Sequence, residues 1–256
     1  MPKVNINGVN IYYEVHGQGE PLILLHHGFG STKMWEDLLP GFAARYKVVS
    51  YDRRGFGESD EGEHFQDYYR SEKYVENSVR ELSSLLEFLN IKDGIHLLGQ
   101  CEGGVIAFYC AVQYPRRVKA IAVSSTLCYS KILMPELNSS RMFSSFEEAD
   151  SEFQHKLVYW HGETRARQLY SLALPGGGAY GSGVFDLRDT LRNVQCPALI
   201  LYPDRSKLFE VEQAVLMYRS LPNGELAVLP RCGHNTYALQ PEEYRRILLS
   251  FFERYR

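Results

Sequence analysis

Hydrophobic positions along this chain follow two rhythms. Asn10 to His16 alternates, with Ile11, Tyr13 and Val15 set against Tyr12, Glu14 and His16, which predicts a half-exposed strand. Gly8 and Gly17 punctuate it. Pro21 to Leu25 is wholly apolar after its proline and predicts a strand buried on both faces. Short runs of the same kind follow at Lys47–Tyr51, Ile95–Leu98, Ala120–Val123, Ala198–Leu201 and Glu225–Leu229. Between them, Val75, Val79, Leu82, Leu86 and Leu89 recur at steps of three and four, the spacing of one helical face. Val105, Ile106, Phe108, Tyr109 and Val112 repeat that spacing, and Met34 to Ala44 is a further helical candidate. The last helix is the clearest: Pro241 opens it, Glu242 and Glu243 fill its first turn, and Tyr244, Ile247, Leu248, Phe251, Phe252 and Tyr255 line one side. Proline and acids suit a helix start because the first N–H groups are unpaired and the dipole is positive there.

Buried strands alternating with helices predict an α/β fold with a mostly parallel sheet covered on both faces. The alternation lapses from about Cys128 to Asn193. Helix-like pieces at Phe146–Trp160 and Glu163–Leu172 are followed there by a run with glycines at 176, 177, 178, 181 and 183. The expected organisation is a core segment over 1–127, an inserted helical cap with a mobile glycine loop over 128–193, and a second core segment over 194–256.

Composition narrows the picture. The chain has 256 residues, 45% hydrophobic and 23% charged, enough for one large domain with a substantial core. A net charge of −3 supplies no basic footprint for nucleic acid and no polybasic patch for a membrane. The opening residues predict no leader peptide, and no apolar run is long enough to span a bilayer. Five cysteines, an odd number without metal-ligand spacing, point to free thiols in a reducing cytoplasm. No metal or phosphate-loop pattern stands out, so no cofactor is expected. The sequence does not specify an oligomeric state.

The chemistry concentrates where Ile95–Leu98 runs into Gly99-Gln100-Cys101-Glu102-Gly103-Gly104. A strand, a tight turn and a helix meet there, and glycines flank the turn because side chains would strike the neighbouring strand and helix. This strand–turn–helix pattern is that of a nucleophile elbow, whose usual form is Gly-x-Ser-x-Gly. Three further motifs fall in order: His27-Gly28-Phe29 after an early buried strand, Asp52-Arg53-Arg54-Gly55-Phe56-Gly57-Glu58-Ser59, and Gly233-His234 after the last strand.

On these four motifs the chain resembles the α/β-hydrolase superfamily over nearly its whole length, with cysteine in place of the nucleophilic serine. The resemblance implies an α/β-hydrolase fold: an eight-stranded sheet, antiparallel at its second strand, with the active site under the cap. It implies Cys101 as nucleophile, His234 as general base and acid, and the N–H groups of Phe29 and Glu102 as oxyanion hole. Glu102 is then expected to turn its side chain away. Asp52 is expected to be structural, as are Cys110, Cys128, Cys196 and Cys232, with His26 packed beside the oxyanion loop.

The acid position departs from the family pattern. The loop after the seventh strand carries Asp204 and Ser206. Alignment on the downstream Glu212-Gln213-Ala214 puts Ser206 at the acid's place, whereas charge favours Asp204. Both would face His234 if the strand ran on, since residues two apart share a side. The alternative acid site, after the sixth strand, offers only Ser124, Ser125 and Thr126. A thiol beside a histidine and a helix N-terminus loses its proton far more readily than a hydroxyl. A resting thiolate–imidazolium pair, oriented by a neutral hydroxyl, is therefore the expectation.

The functions implied are a hydrolase cleaving an activated ester, lactone or related small acyl compound through a Cys101 thioester, an acyltransferase or cyclase using the same acyl-enzyme, or a small-molecule receptor on a hydrolase fold. Trp35, Tyr129, Tyr159, Trp160, Tyr170, Tyr180 and Phe185 are candidates for an aromatic substrate pocket, with ordinary packing as the alternative. His155 and His161 are expected to be exposed.

Overall fold

The computed structural model describes residues 2–256; Met1, where the expected first core segment begins, lies outside them. Strands β1 (Lys3–Ile6), β2 (Val9–His16), β3 (Pro21–Leu25), β4 (Lys47–Tyr51), β5 (Ile95–Gln100), β6 (Val118–Ser124), β7 (Ala198–Pro203) and β8 (Gly224–Leu229) form one sheet in the order β1-β2-β4-β3-β5-β6-β7-β8. β2 runs antiparallel to both neighbours, and β3 through β8 are parallel to one another.

The period-two geometry of strands divides the core. Ile23, Leu25, Val49, Leu97, Ile121 and Val123 pack with Val79, Leu82, Leu86, Val105 and Ile106 of the helices Tyr74–Phe88 and Glu102–Gln113. Their alternates Leu22, Leu24, Val48, Leu98, Ala120 and Ala122 pack on the other face with Phe42, Tyr244, Leu248, Phe251 and Phe252. Both faces of the central strands are buried, as their continuous apolar sequence requires.

Two predicted helices differ in extent. Met34–Ala44 divides into a 3-10 turn at Thr32–Trp35 and a short helix at Leu39–Ala43; Pro40, near the start of the second piece, has no N–H with which to continue the first. The predicted Phe146–Trp160 helix begins only at Ser151, where the Asp150 side chain accepts the Phe153 N–H at 2.8 Å. Helices at Phe65–Arg70, Met134–Arg141 and Glu212–Ser220 lack a strong apolar period and were not foreseen. Between β6 and β7 the described chain consists of helices joined by loops, with no strand beyond the isolated bridges Tyr129–Asp186 and Gly177–Gly181. Among the described residues no helix is long and apolar enough to cross a membrane.

Candidate active site

Residues from four loops meet at the carboxyl edge of the parallel strands, where ligands of open α/β sheets bind. His26 to Gly30 follow β3, Cys101 follows β5, Ser206 follows β7 and His234 follows β8. Cys101 sits between β5 and the helix Glu102–Gln113 with φ +51° and ψ −113°. A non-glycine residue there carries roughly 1–3 kcal/mol of strain, which the surroundings must hold. They do so through the Cys101 N–H, which donates to Ser124 O at 2.7 Å, and through Thr126 Oγ1, which donates to Cys101 O at 3.0 Å. A Cβ on Gly103 would overlap the Leu25 carbonyl, and one on Gly99 would overlap Gly103 O, so the elbow closes only with glycine at both places.

Cys101 and His234 line the same cavity, of about 390 Å³, with Phe29, Trp160, Tyr180 and Phe209 among its walls. The Cys101 sulfur has its side-chain hydrogen bond with Tyr180 Oη, at 3.5 Å; among the described residues it makes none with His234. Burial pushes the Cys101 thiol up to about 12, against the lowering effect of the Tyr180 hydroxyl. Burial also pulls His234 down to about 4. Both groups therefore rest neutral at pH 7, which corrects the expected thiolate–imidazolium pair. Desolvation penalises each charged form and outweighs the helix N-terminus.

His234 is held at both ends. Its carbonyl accepts Ser125 Oγ at 2.7 Å and Gln100 Nε2 at 3.1 Å. Its Nδ1 lies 3.1 Å from Ser206 Oγ. That oxygen also accepts the N–H groups of Leu208 at 3.2 Å and Phe209 at 3.1 Å. A hydroxyl has two acceptor sites and one proton. With both sites taken by backbone amides, Ser206 donates its proton to Nδ1, which leaves the ring proton of neutral His234 on Nε2.

Asp204 is elsewhere. β7 ends at Pro203, so the alternation expected to carry Asp204 and Ser206 to one side does not reach them. The Asp204 N–H bonds Leu229 O, and its carboxylate accepts the Cys232 N–H at 3.0 Å and lies 3.7 Å from Arg205. It fastens the loops after β7 and β8 and makes no hydrogen bond to His234.

The loop after β3, expected to supply the oxyanion hole, is also engaged. Phe29 N–H donates to His27 Nδ1 at 3.1 Å, and His27 Nε2 lies 3.2 Å from Tyr237 Oη. The Glu102 N–H is directed at the Cys101 sulfur and lowers its pKa against the effect of burial. The Glu102 side chain makes no hydrogen bond to the sulfur among the described residues; it is buried and ion-paired with Arg53 at 3.1 Å. Its other oxygen accepts the Ala179 N–H. Arg53 also donates to the carbonyls of His26 and His27, so one buried pair joins the loop after β3, the elbow helix and the glycine loop. Removing one member of such a pair strands the other charge away from water. Arg53→Met is expected to lower unfolding stability by about 3–5 kcal/mol, read as a fall in the urea midpoint at unchanged slope.

Of the seven aromatic candidates, Trp160, Tyr170 and Tyr180 line the cavity; Phe185 packs edge-on against Tyr180 behind it, and three lie elsewhere. Trp35 is buried in the second core cluster against Tyr237. Tyr129 lies under the Arg188 guanidinium and bridges to Asp186. Tyr159 is 57% exposed and donates to Glu36; a one-residue step on a helix turns it away from the side Trp160 buries. His155 is exposed, but His161 is not. It accepts the Gly57 N–H at 2.8 Å and lies 2.9 Å from Phe29 O, tying the helix Ser151–His161 to two core loops. Asp52 accepts the N–H groups of Thr32 and Glu58 and braces its loop. Cys110, Cys128 and Cys232 are buried, Cys196 is half-buried, and all are free.

Sequence reasoning overlooked Gln100, Ser125 and the inward side chain of Glu102. Only the Arg53–Glu102 charge complementarity offered a signal for any of them. Among the described residues no cluster of His, Cys, Asp and Glu could hold a metal ion.

A mostly parallel sheet that holds a strained strand-to-helix residue over a cavity shared with a histidine is the architecture of the α/β hydrolases. The chain belongs to that family: the family model described as alpha/beta hydrolase fold matches residues 20–180. It is 23% identical over 267 residues to the putative carbamate hydrolase RutD of Azorhizobium caulinodans, covering 98% of each chain. It is 26% identical over 267 residues to the pimeloyl-acyl-carrier-protein methyl ester esterase of Aeromonas hydrophila, covering 95% of this chain and 99% of the relative. The crystal structure of MGS-M2, an alpha/beta hydrolase enzyme from a Medee basin deep-sea metagenome library, matches with a TM-score of 0.80 at 20% identity, over 98% of this chain and 97% of the other.

Proposed function

We propose that this chain is a cofactor-independent hydrolase of an activated carboxylic ester, lactone or related small acyl compound, acting through a thioester on Cys101. The observation that carries this is the strained cysteine at a helix N-terminus, opening into a cavity it shares with His234. In the proposed reaction the thiol proton passes to His234 and the sulfur attacks the acyl carbon. The carbonyl electrons move to oxygen and return as the C–O bond breaks, and His234 protonates the departing oxygen. Water, deprotonated by His234, then releases the acid. A thiolate is a good leaving group, so the substrate must supply an alcohol that leaves as readily; enol esters and strained lactones meet that condition. An acyltransferase would use the same acyl-enzyme with an amine, alcohol or thiol in place of water. The segment 128–193 acts as the cap in this proposal, since Met134, Phe153, Trp160, Tyr170 and Tyr180 wall the cavity and would keep bulk water from the thioester.

His234 needs a free Nε2 to accept the thiol proton. The ring proton must then move to Nδ1, and Ser206 must receive it by releasing a backbone amide, at a cost of about 1–3 kcal/mol. This cost favours a second proposal, a small-molecule receptor with little turnover, and the internal Phe29–His27 bond favours it too. Intact-mass spectrometry on exposure to a panel of enol esters, lactones and thioesters separates the two. A hydrolase accumulates an acyl adduct on Cys101 that Cys101→Ala abolishes. A chain that binds panel members without forming any adduct or releasing any acid product is a receptor, and the nucleophile assignment fails.

A further inference from the structure

We infer that Tyr180 is a hydrogen-bond donor to the Cys101 sulfur, delivered by a turn that Glu102 clamps in place, and that it stabilises the thiolate left when the thiol proton passes to His234. This rests on Cys101 being the nucleophile.

Three observations carry it. Tyr180 Oη is 3.5 Å from Sγ, and it accepts the Leu127 N–H at 3.3 Å. With the backbone amide donating to the phenol oxygen, the phenol proton is free to turn to the sulfur, and among the described residues Oη makes no other hydrogen bond. Burial holds this phenol well above its ordinary range, so it keeps its proton and remains a donor wherever a thiolate can form.

The second observation is the turn itself. Tyr180 ends the 3-10 turn Gly178–Tyr180, closed by the Gly177 N–H to Gly181 O bond at 2.9 Å. Ala179 N–H donates to Glu102 Oε1. Gly178 has φ +60°, and a Cβ there would overlap that same carboxylate oxygen. The glycine run, expected as a mobile loop, is fastened to the residue next to the nucleophile.

The third is that, apart from the Glu102 N–H directed at the sulfur, the neighbouring donors are committed elsewhere or out of contact. Phe29 N–H is bonded to His27 Nδ1, and His234 makes no hydrogen bond to the sulfur among the described residues.

The test is the rate of Cys101 alkylation by iodoacetamide, followed by peptide mapping from about pH 7 to 10, where only the thiolate reacts. Losing one hydrogen bond to a charged sulfur raises its pKa by about one unit, so Y180F is expected to slow Cys101 labelling about tenfold at each pH. A merely structural role has the opposite sign, because a loosened site would label Cys101 and its buried neighbour Cys128 faster. G178A should slow Cys101 by displacing the turn, and should add nothing in the Y180F background. Unchanged or faster Cys101 labelling in Y180F overturns the proposal, as does a G178A effect undiminished in Y180F. Either result leaves the nucleophile assignment standing if the wild type forms an acyl adduct or releases acid product. If it does neither, that assignment fails first and this inference falls with it.

Discussion

Replacing Ser206 with aspartate is expected to raise kcat on an activated ester by about a hundredfold or more, with the roughly ten-thousandfold cost of a wrong histidine tautomer as the upper bound. The site is already furnished for a carboxylate. Two backbone amides, of Leu208 and Phe209, and the His234 Nδ1 converge on the Ser206 oxygen within 3.2 Å. A carboxylate accepts without donating and offers about four acceptor positions. It would take both amides and the Nδ1–H at once, so the ring proton would leave Nε2 without breaking a backbone bond. It would also stabilise the imidazolium, which burial now disfavours so strongly that His234 titrates at about 4. The pH profile supplies a second check. His234 must be unprotonated to act as base, so the acid limb of kcat/KM should lie near pH 4 in the wild type and move upward in Ser206→Asp. A variant that folds, keeps its acid limb and gains no rate would show that Ser206 does not occupy the orienting position.

How far the sequence carries depends on where each signal resides. The sheet was legible because β3, β5, β6 and β7 are buried on both faces and each carries a continuous apolar run, with polar residues such as His96, Gln100, Lys119 and Ser124 confined to the ends. The elbow was legible because its glycines answer to steric overlaps with Leu25 and within the turn itself, which any sequence making this turn must avoid. Ser206 could be placed beside His234 by alignment, but its proton could not. That depends on two backbone amides whose direction is set by the turn after Pro203, and a backbone donor leaves no mark in residue identity. Asp204 misled for a related reason: a charge is visible in sequence, and the end of a strand is not. The resting state of Cys101 and His234 was misjudged because local features, a helix N-terminus and a nearby ring, were weighed without the burial that dominates both groups. Tyr180 was legible as one of several pocket aromatics, but not as a partner of the sulfur. Its position on the sulfur follows from a clamp between Glu102 and Ala179, residues 77 apart in the chain.

Cys101→Ser is expected to lose about a thousandfold or more in kcat/KM on its own, and to recover most of that loss when combined with Ser206→Asp. In the proposed mechanism the nucleophile and its supporting residue are coupled through His234. A hydroxyl stays protonated throughout the accessible range, so a serine reacts only if a strong, correctly tautomerised base takes its proton in the transition state. The neutral Ser206 leaves His234 with its proton on Nε2, facing the wrong way for that transfer. A thiol tolerates this better because it gives up its proton more readily than a hydroxyl does, and the resulting sulfur is intrinsically very nucleophilic. The pair found here, cysteine with a hydroxyl orienter, is therefore internally consistent, and so is the pair serine with a carboxylate. The mixed state of serine with a hydroxyl is the poor one. A double-mutant cycle on kcat/KM measures this directly, since residues acting as a unit are non-additive. Ser206→Asp should improve the Cys101→Ser background by a larger factor than it improves the wild type. Equal factors in the two backgrounds would mean that His234 serves the two nucleophiles alike, and that the serine at 206 is unrelated to the cysteine at 101.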